Sequence, residues 1–241
     1  MKKLLIPALQ LILLMLFTTW RLHAQDGTTI IPPDYTKIQQ LTADKSGAYY
    51  YPKLMKRYTN NDTTLSVYEL HLLYYGAFFN DQDNIGQFTN LDINDSIKLI
   101  AKKDNVTDAD KQQLIRLYLI KNKSNPFDLE TLNVLYNLYE MTNSPLSGYY
   151  RFKVTKLYDV ILSTGDGRST KSGFHVNSVP DEYSIVSALG FTSNGSQSLV
   201  DMCDYLEVNK NEYDVPGIYF DVAQIFKGYE KMFSKDSLKI K

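Results

Sequence analysis

The stretch Leu162-Ser163-Thr164-Gly165-Asp166-Gly167-Arg168-Ser169-Thr170-Lys171-Ser172-Gly173-Phe174-His175-Val176 decides the fold of this 241-residue chain, because the hydrophobic rhythm changes across it. Before it, apolar residues recur every three or four positions, the period of a helix with one face in a core. After it they alternate, the period of a strand. The rhythm predicts an α+β architecture: a mainly helical body over residues 34–163, then a small appendage over 164–241 with a sheet of about three strands and two helices.

Working upstream, Tyr150, Val154, Leu157, Tyr158 and Ile161 share one helical face, with Gly165 available to end that helix. Asp128 is placed to cap another, whose Leu132, Leu135, Tyr136 and Tyr139 follow i, i+3, i+4, i+7. Thr107 or Asp108 caps the one before, with Leu114, Leu117 and Tyr118 expected inward. Leu-x-x-Leu-Tyr occurs in both, at 114–118 and 132–136, so the body resembles stacked hairpins of the tetratricopeptide kind, without a strict repeat period. Farther back, Ser66-Val67-Tyr68-Glu69 has the capping-box pattern, and Tyr68, Leu72, Tyr75 and Phe79 follow it as an apolar stripe. Pro52 suits the first turn of a helix carrying Leu54, Met55 and Tyr58.

Downstream, Phe174, Val176 and Ser178 read as one face of a strand, and Pro180-Asp181 opens a short helix closed by Gly190. Asn194-Gly195 marks a tight turn, and Leu199 to Val208 reads as a second strand. A third strand starts at Pro216-Gly217, with Ile218, Phe220 and Val222 on one face. The last helix carries Ile225, Phe226, Tyr229, Met232 and Phe233, and the tail from Ser234 is expected to fray.

The first 24 residues read as a secretory signal: basic Met1-Lys2-Lys3, an apolar run from Leu4 to Trp20, and cleavage after Ala24. The remainder, 25–241, is read as one α+β unit in the periplasm or outside the cell. Three of the 26 basic residues and none of the 27 acidic ones would leave with the signal, so 23 face 27 and the formal charge falls to −4. With no basic block left, nucleic acid is excluded as a partner, and no later run is long enough to span a membrane. Cys203 is the single cysteine, which rules out an intramolecular disulfide.

Four residues of the joint are candidates for binding: Asp166, Arg168, Lys171 and His175. Arg168 and Lys171 would take an anion, and His175 is the better placed of the two histidines outside the signal for proton transfer; the other, His71, lies beside a helical apolar stripe. Gly165 to Ser172 approaches a phosphate-binding loop, but Thr170 replaces the second glycine and the flanking order is helix then strand. A turn whose glycines supply positive φ is the better reading. Asp81-Gln82-Asp83-Asn84-Ile85-Gly86, with Asp92, imitates a calcium loop, yet Ile85 occupies a ligand position. One cysteine and widely spaced histidines give no metal-ligand pattern, and no cofactor is implied. Tyrosine is in excess at 19, clustered at 49–51, 74–75 and 149–150; most sit at core spacing, whereas Tyr49 to Tyr51 are candidates for exposure.

Several runs resemble the domain of unknown function 4919 family of exported bacterial proteins. They are Tyr49-Tyr50-Tyr51-Pro52-Lys53-Leu54-Met55-Lys56-Arg57-Tyr58, Tyr74-Tyr75-Gly76, Thr164-Gly165-Asp166-Gly167, Asp181-Glu182-Tyr183, Asp204-Tyr205-Leu206-Glu207-Val208, and Gly217-Ile218-Tyr219-Phe220-Asp221-Val222. The resemblance implies an exported module and carries no activity or catalytic residues with it. The absence of a catalytic constellation then favours a non-catalytic periplasmic binding or scaffold module, with a protein or small-molecule partner in the cell envelope. The alternative is an envelope hydrolase using His175 near the Gly165–Gly167 turn, with Asp166 as its carboxylate.

Overall fold

The computed structural model describes residues 30–80 and 91–237, the side chains of 91, 92 and 231–237 excepted. The expected signal segment and Asp81 to Gly86 of the calcium-like loop lie outside the described residues. Among the described residues seven helices come first: α1 (Tyr35–Ala43), α2 (Tyr51–Thr59), α3 (Val67–Asn80), α4 (Leu91–Ala101), α5 (Asp108–Ser124), α6 (Leu129–Met141) and α7 (Ser147–Leu162). Then follow β1 (Phe174–His175), α8 (Val179–Ala188), β2 (Ser193–Val200), β3 (Cys203–Val208), β4 (Gly217–Asp221) and α9 (Ala223–Ser237). This is the α+β arrangement that the change of rhythm predicts, with the helical body and the sheet meeting at the 162–176 joint.

The body is built around α3. From Leu70 to Phe78 all but His71 are buried, so the helix is apolar all round and has neighbours on every side, as such a helix must. Gly76 makes this possible: a Cβ there would lie 3.1 Å from Thr42 and 3.3 Å from the ring of Tyr51, so α1 and α2 close onto α3 at the one position without a side chain. The Ser66–Glu69 capping box forms, with Glu69 N–H donating to Ser66 Oγ at 3.2 Å and Ser66 N–H to Glu69 Oε2 at 2.8 Å. Glu69 also accepts from Arg57, which binds Asp62 as well, tying α2 to the start of α3. Thr107 caps α5, with Asp110 returning the bond. Asp128 caps α6. In α5 the buried apolar side chains are Ile115 and Tyr118, with Leu114 and Leu117 half-buried, a small rotation from the face expected. The face expected of α7 is buried throughout.

The 49–51 tyrosine cluster is not a surface feature. Tyr51 is buried, and Tyr49 and Tyr50 are half-buried. Tyr49 packs edge-on against Tyr68. Packing against the aromatic rim of α3 outweighs hydration of three rings.

The sheet has four strands in the order β1-β4-β3-β2, β1 parallel to β4 and the others antiparallel. The segment read as one strand from Leu199 to Val208 is the end of one strand and the whole of another. The chain reverses at Asp201-Met202, both with positive φ (50° and 62°), and Val200 pairs with Cys203. Those are the dihedrals of the tight hairpin turn that Asn-Gly or Asp-Gly normally fills. Asn194 and Gly195 lie inside β2, at an irregularity between Ser193 and Gln197 where Gly195 takes φ 90°. One cluster of buried hydrophobic side chains runs from Ile38 in α1 through the body to Leu206, Ile218, Phe220 and Ile225. Among the described residues no helix is long and apolar enough to cross a membrane.

Candidate functional site

Two consecutive residues of α3 hold the strand that follows the joint. Tyr75 Oη donates to the carbonyl of His175 at 2.9 Å, and Tyr74 Oη accepts the amide of Asn177 at 2.9 Å while donating to Asp181 Oδ2 at 2.7 Å. Asn177 Nδ2 returns a bond to the carbonyl of Tyr74. The amide of Leu129, at the start of α6, donates to the other oxygen of Asp181 at 3.3 Å. Burial pushes the Asp181 carboxyl up to about 7, against the downward pull of the Tyr74 hydroxyl.

With its backbone fixed this way, and its N–H bonded to Thr164 Oγ at 2.9 Å, His175 turns its ring toward the helical body. Nδ1 stands 3.5 Å from Tyr35 Oη and 3.8 Å from Asp221 Oδ1, and the side chain is 15% exposed. Asp221 is its cross-strand neighbour in the parallel β1–β4 pair. His71 is on the same side, its ring 4.8 Å from that of Tyr75. Burial, and then the proximity of His175, hold His71 down to about 4. His175 is also lowered, by burial, with Asp221 acting against it. The Tyr35 phenol is raised, by burial first and the Asp221 charge second. The result is two imidazoles held toward the neutral form, with a phenol and a carboxylate beside that of His175.

The four residues expected to act together divide into two groups. Asp166 accepts from its own turn, the Arg168 amide at 2.9 Å and Ser172 Oγ at 2.5 Å. Burial raises its pKa, but these bonds outweigh it and the carboxyl is held low. Arg168 and Lys171 are exposed. His175 faces inward, and the carboxylate beside it is Asp221. Asp221 and Tyr35 are site residues that sequence reasoning missed, and His71 is one that it set aside; Asp221 closes a strand-like run and Tyr35 opens a helical one, so neither position by itself points to the other.

Nucleophilic chemistry would need a hydroxyl or thiol beside His175. Thr164 Oγ is the nearest bonded one, and it donates to the Ile161 carbonyl at 2.6 Å. Ser163 and Ser172 are bonded to Val160 and Asp166 respectively. The Cys203 thiol points at the Thr170 carbonyl, 3.4 Å away, and burial pushes its pKa up to about 11. Among the described residues no group of three or more metal-ligating side chains occurs. The glycines of the joint act sterically: only Gly167 takes positive φ (68°), whereas a Cβ on Gly165 would lie 2.3 Å from the Ser172 carbonyl oxygen.

The Cys203–Thr170 contact brings the basic turn against the β2–β3 hairpin. There Leu199, Val200 and Met202 are 52%, 41% and 43% exposed. An exposed methionine held at positive φ is costly for a residue with a Cβ, and such strain persists only where the surroundings enforce it. Part of the enforcement is visible: the Val222 amide donates to the Met202 carbonyl at 3.1 Å. A second surface feature, an open hollow of about 200 Å³ between Val208 and Pro216, has its central Asn211 bonded to Val215 and Asn209 of its own loop.

No curated protein and no solved structure matches the chain. A family model does, over residues 36–231, which takes in the histidine pair, the joint and the whole sheet. The chain therefore belongs to the family named Domain of unknown function (DUF4919).

Proposed function

We propose that this is an exported, non-catalytic binding or scaffold module of the cell envelope, and that it meets its partner with the β2–β3 hairpin and the adjoining basic turn. The observation that carries the reading is the apolar tip of Leu199, Val200 and Met202, held exposed on two consecutive positive-φ residues beside Arg168 and Lys171. Chemistry at His175 is the weaker reading, because each Ser and Thr hydroxyl of the joint for which a bond is described donates elsewhere or serves the turn. The N-terminal basic and apolar run supports export.

The test uses the tagged protein in native envelope extract, with two variants beside it: Leu199→Ser with Met202→Ser, and His175→Gln. A partner kept by His175→Gln and lost by the hairpin variant is the expected result. Equal capture by the hairpin variant would overturn the reading. An ester, amide or glycoside hydrolysis abolished by His175→Gln would replace it with the hydrolase.

A further inference from the structure

Glu182 is in the first turn of α8, wholly buried, and both of its carboxyl oxygens are enclosed without a hydrogen-bond donor. Facing it from β3 is Asp204, itself 8% exposed and close enough for the two carboxyls to bond. Asp204 Oδ2 accepts from Gln197 Nε2 of β2 at 2.7 Å, and Gln197 Oε1 accepts from Tyr183 Oη at 3.2 Å. The other charge that bears on Glu182 is Asp181 of its own helix, again an acid, and Asp181 in turn feels Asp128 at the start of α6. Two ionised carboxylates buried together, with no donor for one of them, would be strongly unfavourable. One proton removes the conflict. A neutral Glu182 has an O–H to donate, and Asp204 has an oxygen free of Gln197 to receive it.

We infer that Glu182 and Asp204 share a single proton in the folded protein, and that this proton latches the β2–β3 hairpin onto α8. The arrangement repeats the logic of paired carboxylates elsewhere, in which like charges at short range cannot both ionise. Burial and then the Asp204 charge push Glu182 up to about 9, so the latch is closed at neutral pH and opens in alkali. When the proton leaves, two like charges face each other across the α8–β3 contact. The Tyr183–Gln197–Asp204 chain, which carries the displayed hairpin edge, is then under repulsion. The inference is independent of the binding role of the hairpin.

Infrared titration of the full chain tests it, read on the C=O stretch of protonated carboxyls, with hydrogen exchange at residues 199–208 followed in parallel. The wild type should lose a band with a midpoint near 9 that Glu182→Gln lacks, while a second band near 7, from Asp181, stays in both. Above the higher midpoint the hairpin amides of the wild type should exchange faster than those of Glu182→Gln at the same pH. Should Glu182→Gln fail to fold, Asp204→Asn serves instead: without the facing charge, the Glu182 band should disappear at lower pH. Identical titration in wild type and Glu182→Gln, an unmoved band in Asp204→Asn, or equal hairpin exchange with and without Glu182 would each overturn the latch.

Discussion

Tyr74 Oη donates to Asp181 Oδ2 at 2.7 Å, and through that bond the most buried helix of the body grips the first turn of α8. The same oxygen accepts the Asn177 amide, so one phenol satisfies groups on both sides of the N-terminus of α8. Tyr74→Phe keeps the ring and removes both bonds, leaving a buried carboxyl and a buried N–H short of a partner. Urea denaturation should show a loss of about 2–4 kcal/mol, more than a hydroxyl at the surface would give. A change below about 0.5 kcal/mol would mean that the joint is held by apolar contact alone.

His71 gives the fold an acid limit. Its folded pKa, about 4, is below the ordinary 6.5, so between those values the unfolded chain binds the extra proton more readily. The stabilisation is fully present above pH 6.5 and is lost as pH falls toward 4. It amounts to roughly 3 kcal/mol. His175 shifts in the same direction and adds to the slope. Denaturation midpoints across this range should fall steeply for the wild type and less steeply for His71→Phe; parallel curves would contradict the assignment.

Gly165 and Gly148 make opposite predictions. A methyl group on Gly165 would meet the carbonyl oxygens of Ser172 and Gly173 at 2.3 and 2.6 Å, and main chain cannot give way as a flexible side chain can. Gly165→Ala should therefore destabilise by roughly 3 kcal/mol. Gly148, within α7, has nothing within 4 Å of its Cβ position, and Gly148→Ala should stabilise by up to about 1 kcal/mol. Thermal melts of the two variants check both signs at once.

Asp201-Met202 makes a hairpin turn without asparagine or glycine at its second position, so an uninterrupted run of strand formers concealed a reversal and a fourth strand. No regular period encloses the tyrosines at 49–51, which gives them the local pattern of an exposed cluster; the rim of α3, supplied from elsewhere in the chain, covers them. Asp181 and Glu182 look like ordinary acids at a helix start, where the dipole and solvent favour them. Their burial depends on α3, α6 and β3 converging there, at sequence distances that local pattern does not encode.

By itself the sequence determined what depends on near neighbours: most of the helical faces, the Ser66 cap and a cap at Thr107 or Asp108, the helix-to-strand change at 162–176, and the family that those runs resemble. These follow from side-chain period and from hydrogen bonds spanning three or four residues. Only the tertiary structure decided that His175 faces Asp221, 46 positions away, that Asp166 serves its own turn, and that Glu182 meets Asp204. The chain fixes which groups can ionise, but whether they do so is set by the desolvation and the partners that packing brings to each carboxyl and imidazole.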